Sequence, residues 1–376
     1  MKFRLLFIAL TVSFFFSLNL AACANSGDIQ VSSAPVNLIV LKSGNYPNAV
    51  CVDGTPAGFI FRRGQGDGAN KWVLALQGGG ACTSVETCSQ RNKRLISIIT
   101  WRNKSTEELS GFMDGIFNPS EEKNPHFYNW NHVFFIYCSA DRWSGQRVAT
   151  TNTDGLNWTG RYVIEAVINS LLDKAVIGFP TLSSAEDILF TGSSSGAAGV
   201  VSNIDWLGDF LQSKQVNAKF KGVLDSGVGP LSPLDDTFAI PSESWSLYNS
   251  VINEACYAAH VDSGDLGKCA FTEYLIVNDY LSSPLFVYHD QSDATLIKSY
   301  GTEVEPRIQK IISALPNAFS PNLGNHLLIT VPEFYTMAVK YPSEFMAGYE
   351  NGLYLEAGVD YTYSDLLWLW YSQETD

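Results

Sequence analysis

The run Gly192-Ser193-Ser194-Ser195-Gly196 satisfies G-x-S-x-G with Ser194 at its centre. Chemistry at that spacing would be nucleophilic acyl transfer. A sharp strand-to-helix turn exposes the serine hydroxyl, the flanking glycines keep Cβ atoms out of a crowded turn, and the helix N-terminus favours a developing oxyanion. A plain Ser/Gly turn has the same composition, so context decides. The apolar run Asp187-Ile188-Leu189-Phe190 directly before it and the helix-compatible run from Ala197 directly after it are the surroundings the motif requires.

A serine hydroxyl needs a base. The chain has 5 histidines. In the order nucleophile, acid, histidine, His126 and His132 come too early. His260 sits in an excursion bounded by Cys256 and Cys269, and His289 lies in an apolar run where a satisfied core or strand-end histidine is expected. His326, after a Gly-Asn turn, follows every strong acid candidate. The acid must orient the imidazole from the end of a late strand. Asp290 and Asp293 in "SPLFVYHDQSDATLI" fit that position, Asp225 falls at an earlier strand, and spacing alone leaves the choice open. Two backbone N–H groups must hold the oxyanion: Ser195 offers one, and the Gly78-Gly79-Gly80 loop after "KWVLALQ" offers the other. A phosphate cradle would want a following Lys-Ser/Thr or Rossmann spacing, which this loop lacks.

Elements must carry these groups to one place. Short apolar runs at 71–77, 132–138, 187–192, 220–227, 283–290 and 326–330 read as strands. Helical periodicity lies between them at 161–175 and after Gly196. Strands alternating with helices predict an α/β fold, a mainly parallel sheet with helices on both faces in a single domain. The aromatic segment 361–373 reads as a closing helix packed on that sheet.

The chain of 376 residues is 46% hydrophobic and 16% charged, which suits a large core. Residues 1–22 read as an export signal: Lys2 and Arg4, then an apolar run, with nothing basic following until Lys42. Leu20-Ala21-Ala22-Cys23 fits a bacterial lipobox, so Cys23 is the expected lipidation site. Residues 23–35 would be a tether and 36–376 the catalytic domain, placing the protein in a bacterial cell envelope with a membrane partner through its anchor. Six cysteines remain. Cys82 with Cys88 and Cys256 with Cys269 could close small loops, leaving Cys51 with Cys138, and other connectivities stay open. No cysteine–histidine spacing suits zinc, so neither metal nor cofactor is expected. The net charge of −14 argues against a nucleic-acid partner and sits awkwardly with an anionic polymer, although a local cleft can differ from the average.

The longer motifs, in order, are "AVCVDGTPAGF" (49–59), "KWVLALQGGGACTSVETCSQR" (71–91), "NPHFYNWNHVFFIYCSADRWSG" (124–145), "GSSSGAAGVVSNIDWL", "KGVLDSG", "PLFVYHDQSD" and the late His326. Together they resemble the pectin acetylesterase and Notum family of α/β-hydrolase-like carboxylesterases. That resemblance implies Ser194 as nucleophile, His326 as base, Asp293 as acid, oxyanion N–H groups from Gly79, Gly80 and Ser195, and a Cys82–Cys88 pair. Two departures bear on the pocket: relatives commonly carry Glu before the glycines and Trp before the first of those cysteines, where this chain has Gln77 and Ala81. The expected activity is hydrolysis of carboxylic esters, foremost deacetylation of an O-acetylated carbohydrate. The alternatives are a hydrolase of longer acyl esters on protein or lipid, as in Notum, and a noncatalytic surface lipoprotein that binds ligand on the same fold.

Overall fold

The computed structural model describes residues 34–229, 246–315, 318–335, 338–339, 346–347 and 359–373. The expected signal, Cys23 and most of the expected tether lie outside these residues.

Among the described residues, nine strands form one sheet in the order β1-β2-β4-β3-β5-β6-β7-β8-β9, numbered along the chain as follows. β1 (Asn37–Val40), β2 (Gly58–Arg62) and β4 (Asn131–Phe135) pair antiparallel at one side. From β4 the sheet runs parallel through β3 (Lys71–Leu76), β5 (Asp187–Ser193), β6 (Lys219–Asp225), β7 (Leu285–Tyr288) and β8 (Ala318–Phe319). The antiparallel β9 (Met346–Ala347) closes the other side. Strands inside a parallel sheet are covered on both faces, so they read as unbroken apolar runs. In β3 every residue after Lys71 is buried. The expected mainly parallel sheet and its helices are present as a single domain.

Helix Gly160–Leu172 lies between β4 and β5, and helix Ser195–Ser213 follows β5 at once. The carboxyl ends of β3, β5, β6 and β7 therefore carry the glycine loop, Ser194, Asp225 and the Asp290–Asp293 turn. In open α/β sheets that end is where ligands bind.

The final segment is the helix Tyr363–Ser372. Tyr363 packs against Phe286, Tyr288 and Phe319, and Tyr371 against Phe127 and Trp130. Lysines cap its far end: Lys219 Nζ donates to Ser372 O at 3.0 Å, and Lys221 Nζ to Trp370 O at 3.2 Å and Gln373 O at 2.8 Å. Cations belong there, where carbonyls have no helical partner.

One expected strand is absent. Residues 326–330 form a loop, and the strand before them is the short β8. The backbone groups that a ladder would use are taken elsewhere. Leu328 N and Ile329 N donate to the Asp225 carboxylate at 3.0 and 3.3 Å, and Ile329 O accepts from Ile116 N at 2.8 Å.

Disulfides join Cys51–Cys138, Cys82–Cys88 and Cys256–Cys269. Three disulfides fit an exported protein.

Candidate active site

Ser194 stands between β5 and its helix with φ 56° and ψ −121°, a backbone that side-chain-bearing residues rarely adopt. Neighbouring contacts hold it there. Ser194 N donates to Asp225 O at 2.6 Å, and Ser193 Oγ to Asp225 Oδ2 at 2.8 Å. The two motif glycines are required by space: a Cβ at Gly192 would lie 2.3 Å from Gly196 O, and one at Gly196 2.1 Å from Leu76 O. Such approaches are far inside van der Waals contact, so strand, turn and helix meet only without those side chains.

The glycine loop after β3 sits against this turn. A Cβ at Gly78 would be 2.4 Å from Ser193 O and 3.1 Å from Ser194 Cβ. Gly79 and Gly80 have φ of 149° and 68°. Their peptide planes are anchored through the carbonyls: Arg91 Nη2 donates to Gly79 O, and the Tyr137 hydroxyl donates to Gly80 O at 2.8 Å while accepting from Arg142 N at 2.7 Å. Fixing Gly79 O fixes the plane that carries the Gly80 N–H. Gln77, the departure noted above, has a backbone task, its Oε1 accepting from Tyr137 N at 2.9 Å.

The acid alternatives separate clearly. Asp293 is fully buried, and its Oδ2 accepts from His326 Nδ1 at 2.7 Å. A carboxylate only accepts, so Nδ1 carries the proton and Nε2 is left as the lone-pair nitrogen. The other oxygen, Oδ1, accepts from Thr295 N and Leu296 N at 2.9 and 3.0 Å, capping the helix Ala294–Tyr300. Burial pushes the Asp293 carboxyl up, but the His326 hydrogen bond, the His289 and His326 charges and the Leu296 N–H outweigh it and hold it below its ordinary value.

Asp225 and Asp290 do not touch the imidazole. Asp225, at the end of β6, accepts from Ser193, Leu328 and Ile329, and burial raises its carboxyl to about 6 against those hydrogen bonds. Asp290 accepts from Leu323 N at 2.9 Å and Asn325 N at 3.1 Å. The sequence marked both as candidate acids; their contacts with the histidine loop were not legible there.

His289 is the expected buried strand-end histidine, but its ring is not satisfied. It is buried directly after β7, its Nε2 lies 3.5 Å from Asp293 Oδ2, and neither ring nitrogen has a hydrogen-bond partner among the described residues. Burial pushes the imidazole down to about 4, against the pull of Asp293. His126 and His132 are engaged elsewhere, with Asp365 and Arg62 respectively. His260 faces Tyr274 at 2.9 Å, beside the Cys256–Cys269 bridge.

Ser194, Gly78, Gly79, Gly80 and His326 line one cavity of about 650 Å³. Its walls include Phe112, Phe117, Phe134, Leu327 and Ile329, with Arg94 among the lining residues. This aromatic wall was not legible in the sequence, because its members come from separate segments and from β4.

The family model described as Pectinacetylesterase matches residues 29–375. The chain belongs to this family. Among curated relatives, the palmitoleoyl-protein carboxylesterase notum2 of Xenopus laevis is 29% identical over 325 residues, 77% of this chain and 62% of that protein. Pectin acetylesterase 11 of Arabidopsis thaliana is 30% identical over 276 residues, 72% of this chain and 66% of that protein. The palmitoleoyl-protein carboxylesterase of Drosophila melanogaster is matched over only 44% of its length. The chain thus spans less than two thirds of the length of these relatives. A crystal structure of the Wnt deacylase Notum from Drosophila shares the fold with a TM-score of 0.68 at 24% identity, covering 82% of this chain and 91% of that one.

Proposed function

We propose that this pectinacetylesterase-family chain is a serine carboxylic ester hydrolase with Ser194, His326 and Asp293 as its triad. The observation that carries this reading is the 2.7 Å bond from His326 Nδ1 to the buried Asp293, with Ser194 held in a strained turn on the same cavity. Ser194 Oγ attacks the ester carbonyl carbon while His326 Nε2 takes its proton. Negative charge builds on the carbonyl oxygen, where N–H groups of Gly79, Gly80 and Ser195 stabilise it. As the tetrahedral species collapses, the imidazolium protonates the departing alkoxide and an alcohol leaves. Water, giving its proton to His326, then attacks the acyl-enzyme, releasing the carboxylic acid and restoring Ser194.

The leading substrate is an O-acetylated carbohydrate, in line with the family and with Arabidopsis pectin acetylesterase 11. A second reading, hydrolysis of longer acyl esters, draws on the aromatic wall and the size of the cavity, which exceed the needs of an acetyl group. Residues 1–22 are proposed as an export signal and Cys23 as a lipidated anchor, so that the enzyme works at the cell envelope.

The test is hydrolysis of 4-nitrophenyl acetate and octanoate by the soluble domain beside Ser194→Ala, both shown to be folded. Activity confined to the parent supports the serine mechanism, and equal rates remove Ser194 from it. A kcat/KM for octanoate well above that for acetate would displace the acetylesterase reading in favour of the second.

A further inference from the structure

Four consecutive residues after β7 each hold a different part of the loop that carries His326. Asp290 Oδ2 accepts from Leu323 N at 2.9 Å and Asn325 N at 3.1 Å, while its Oδ1 accepts from Ser292 N at 2.9 Å and Ser292 Oγ at 3.1 Å. Gln291 N donates to Pro321 O at 2.9 Å and its Nε2 to Ser320 O at 2.7 Å. Ser292 Oγ accepts from Gly324 N at 3.0 Å. Asp293 then takes the imidazole itself. The turn 290–293 acts as a template on which the segment 320–326 is laid, with the acid and the base at its end.

Within that template Asp290 has a distinct place. Its side chain is fully buried, and three backbone N–H groups, of Ser292, Leu323 and Asn325, donate to its two oxygens. Two of those donors are amides one and three residues before His326. We infer that Asp290 is the positioning residue for the general base: it sets the backbone entering His326 so that the ring meets Asp293 on one side and the cavity on the other. The inference rests on the reading of His326 as that base. On its far side the loop has independent anchors, the Ser226 hydroxyl on His326 O and the Asp225 carboxylate on Leu328 N and Ile329 N. Replacing Asp290 should therefore loosen the approach to His326 without releasing the whole loop. Misplacing a catalytic group by about 1 Å costs on the order of 100-fold in rate.

The experiment compares Asp290→Ala and Asp290→Asn with the parent and with Ser194→Ala. It measures kcat and KM for 4-nitrophenyl acetate per folded molecule, and the far-downfield proton NMR signal of the His326–Asp293 hydrogen bond. The expected result for Asp290→Ala is a fall in kcat of about 10- to 100-fold with KM within about twofold, and a shifted or broadened signal. Asp290→Asn, which keeps one acceptor oxygen in the same volume, should lie between. Folded variants with the parent's kcat and an unchanged signal overturn the inference. So does an Asp290→Asn that cannot fold, since Asp290 would then serve the fold and not the base. A Ser194→Ala that keeps full activity removes the underlying mechanism, whereas an inactive Ser194→Ala beside parent-like Asp290→Ala and Asp290→Asn refutes the positioning role alone.

Discussion

Three buried carboxylates surround His326, and their hydrogen bonds give each a different task. Asp293 alone reaches the ring, so Asp293→Asn should keep the fold and lower kcat by about 10⁴-fold by presenting the wrong partner to Nδ1. Steady-state kinetics on 4-nitrophenyl acetate checks this, and an Asn variant within tenfold of the parent would exclude Asp293 as the orienting acid. Asp225 carries a stability signature instead. Its folded pKa of about 6 lies above the ordinary 3.8, so the folded chain binds that proton more tightly than the unfolded chain. Stability from this group is therefore present below about 4 and is lost as pH rises through about 6. A shift of this size corresponds to roughly 3 kcal/mol at most. Urea unfolding of the parent beside Asp225→Asn should show their difference moving in the parent's favour between pH 7 and pH 4.5, and a difference independent of pH would refute it. Asp365, held down at about 2 chiefly by its His126 hydrogen bond, loses its contribution at lower pH, so the two windows separate.

Elements meet at the site through glycines, and this junction was the most legible part of the chain. Gly192 and Gly196 stand where a Cβ would strike backbone, which is the physical content of the motif read from the sequence. Gly196→Ala should cost at least about 2 kcal/mol, because the collision is with Leu76 O and no side chain can swing aside. Thermal melting checks it, and an unchanged midpoint would mean that β3 and the helix can separate freely. The sheet strands were legible for a related reason: burial on both faces makes unbroken apolar runs. The segment 326–330 is just as apolar, yet its amides are claimed by Asp225, a residue 103 positions away from Leu328, and nothing local reveals that. The same distance hid which carboxylate meets His326. Spacing left Asp290, Asp293 and Asp225 open, because what separates them is which atom each meets across the fold. Family resemblance pointed to Asp293, the carboxylate found on His326.

The whole molecule carries a charge of −14, which on average repels an anionic polymer. That average conceals a local exception. Residues 87–106 contain Arg91, Lys93, Arg94, Arg102 and Lys104 and no acid. This segment reaches the cavity: Arg94 lines it, Arg91 holds Gly79 O, and Lys104 lies 5.5 Å from the centre of the Phe112 ring in its wall. At about 0.1 M salt, fields reach only about 10 Å, so a bound polymer would feel these cations, with Asp114 in the cavity lining and Glu108 paired to Lys104 at 3.5 Å, more than the remaining acids. If the natural ester sits on an acidic polysaccharide, Lys93→Glu combined with Arg102→Glu should raise KM several-fold on acetylated polyuronate. Neither side chain lines the cavity, so a neutral ester such as 4-nitrophenyl acetate should respond far less, and added salt should shrink the gap between parent and variant. Equal KM values on the polyuronate at low salt would count against an anionic substrate. The basic segment would then be an ordinary solvated surface, and the aromatic wall would be the stronger guide to the ester that the proposed hydrolase takes.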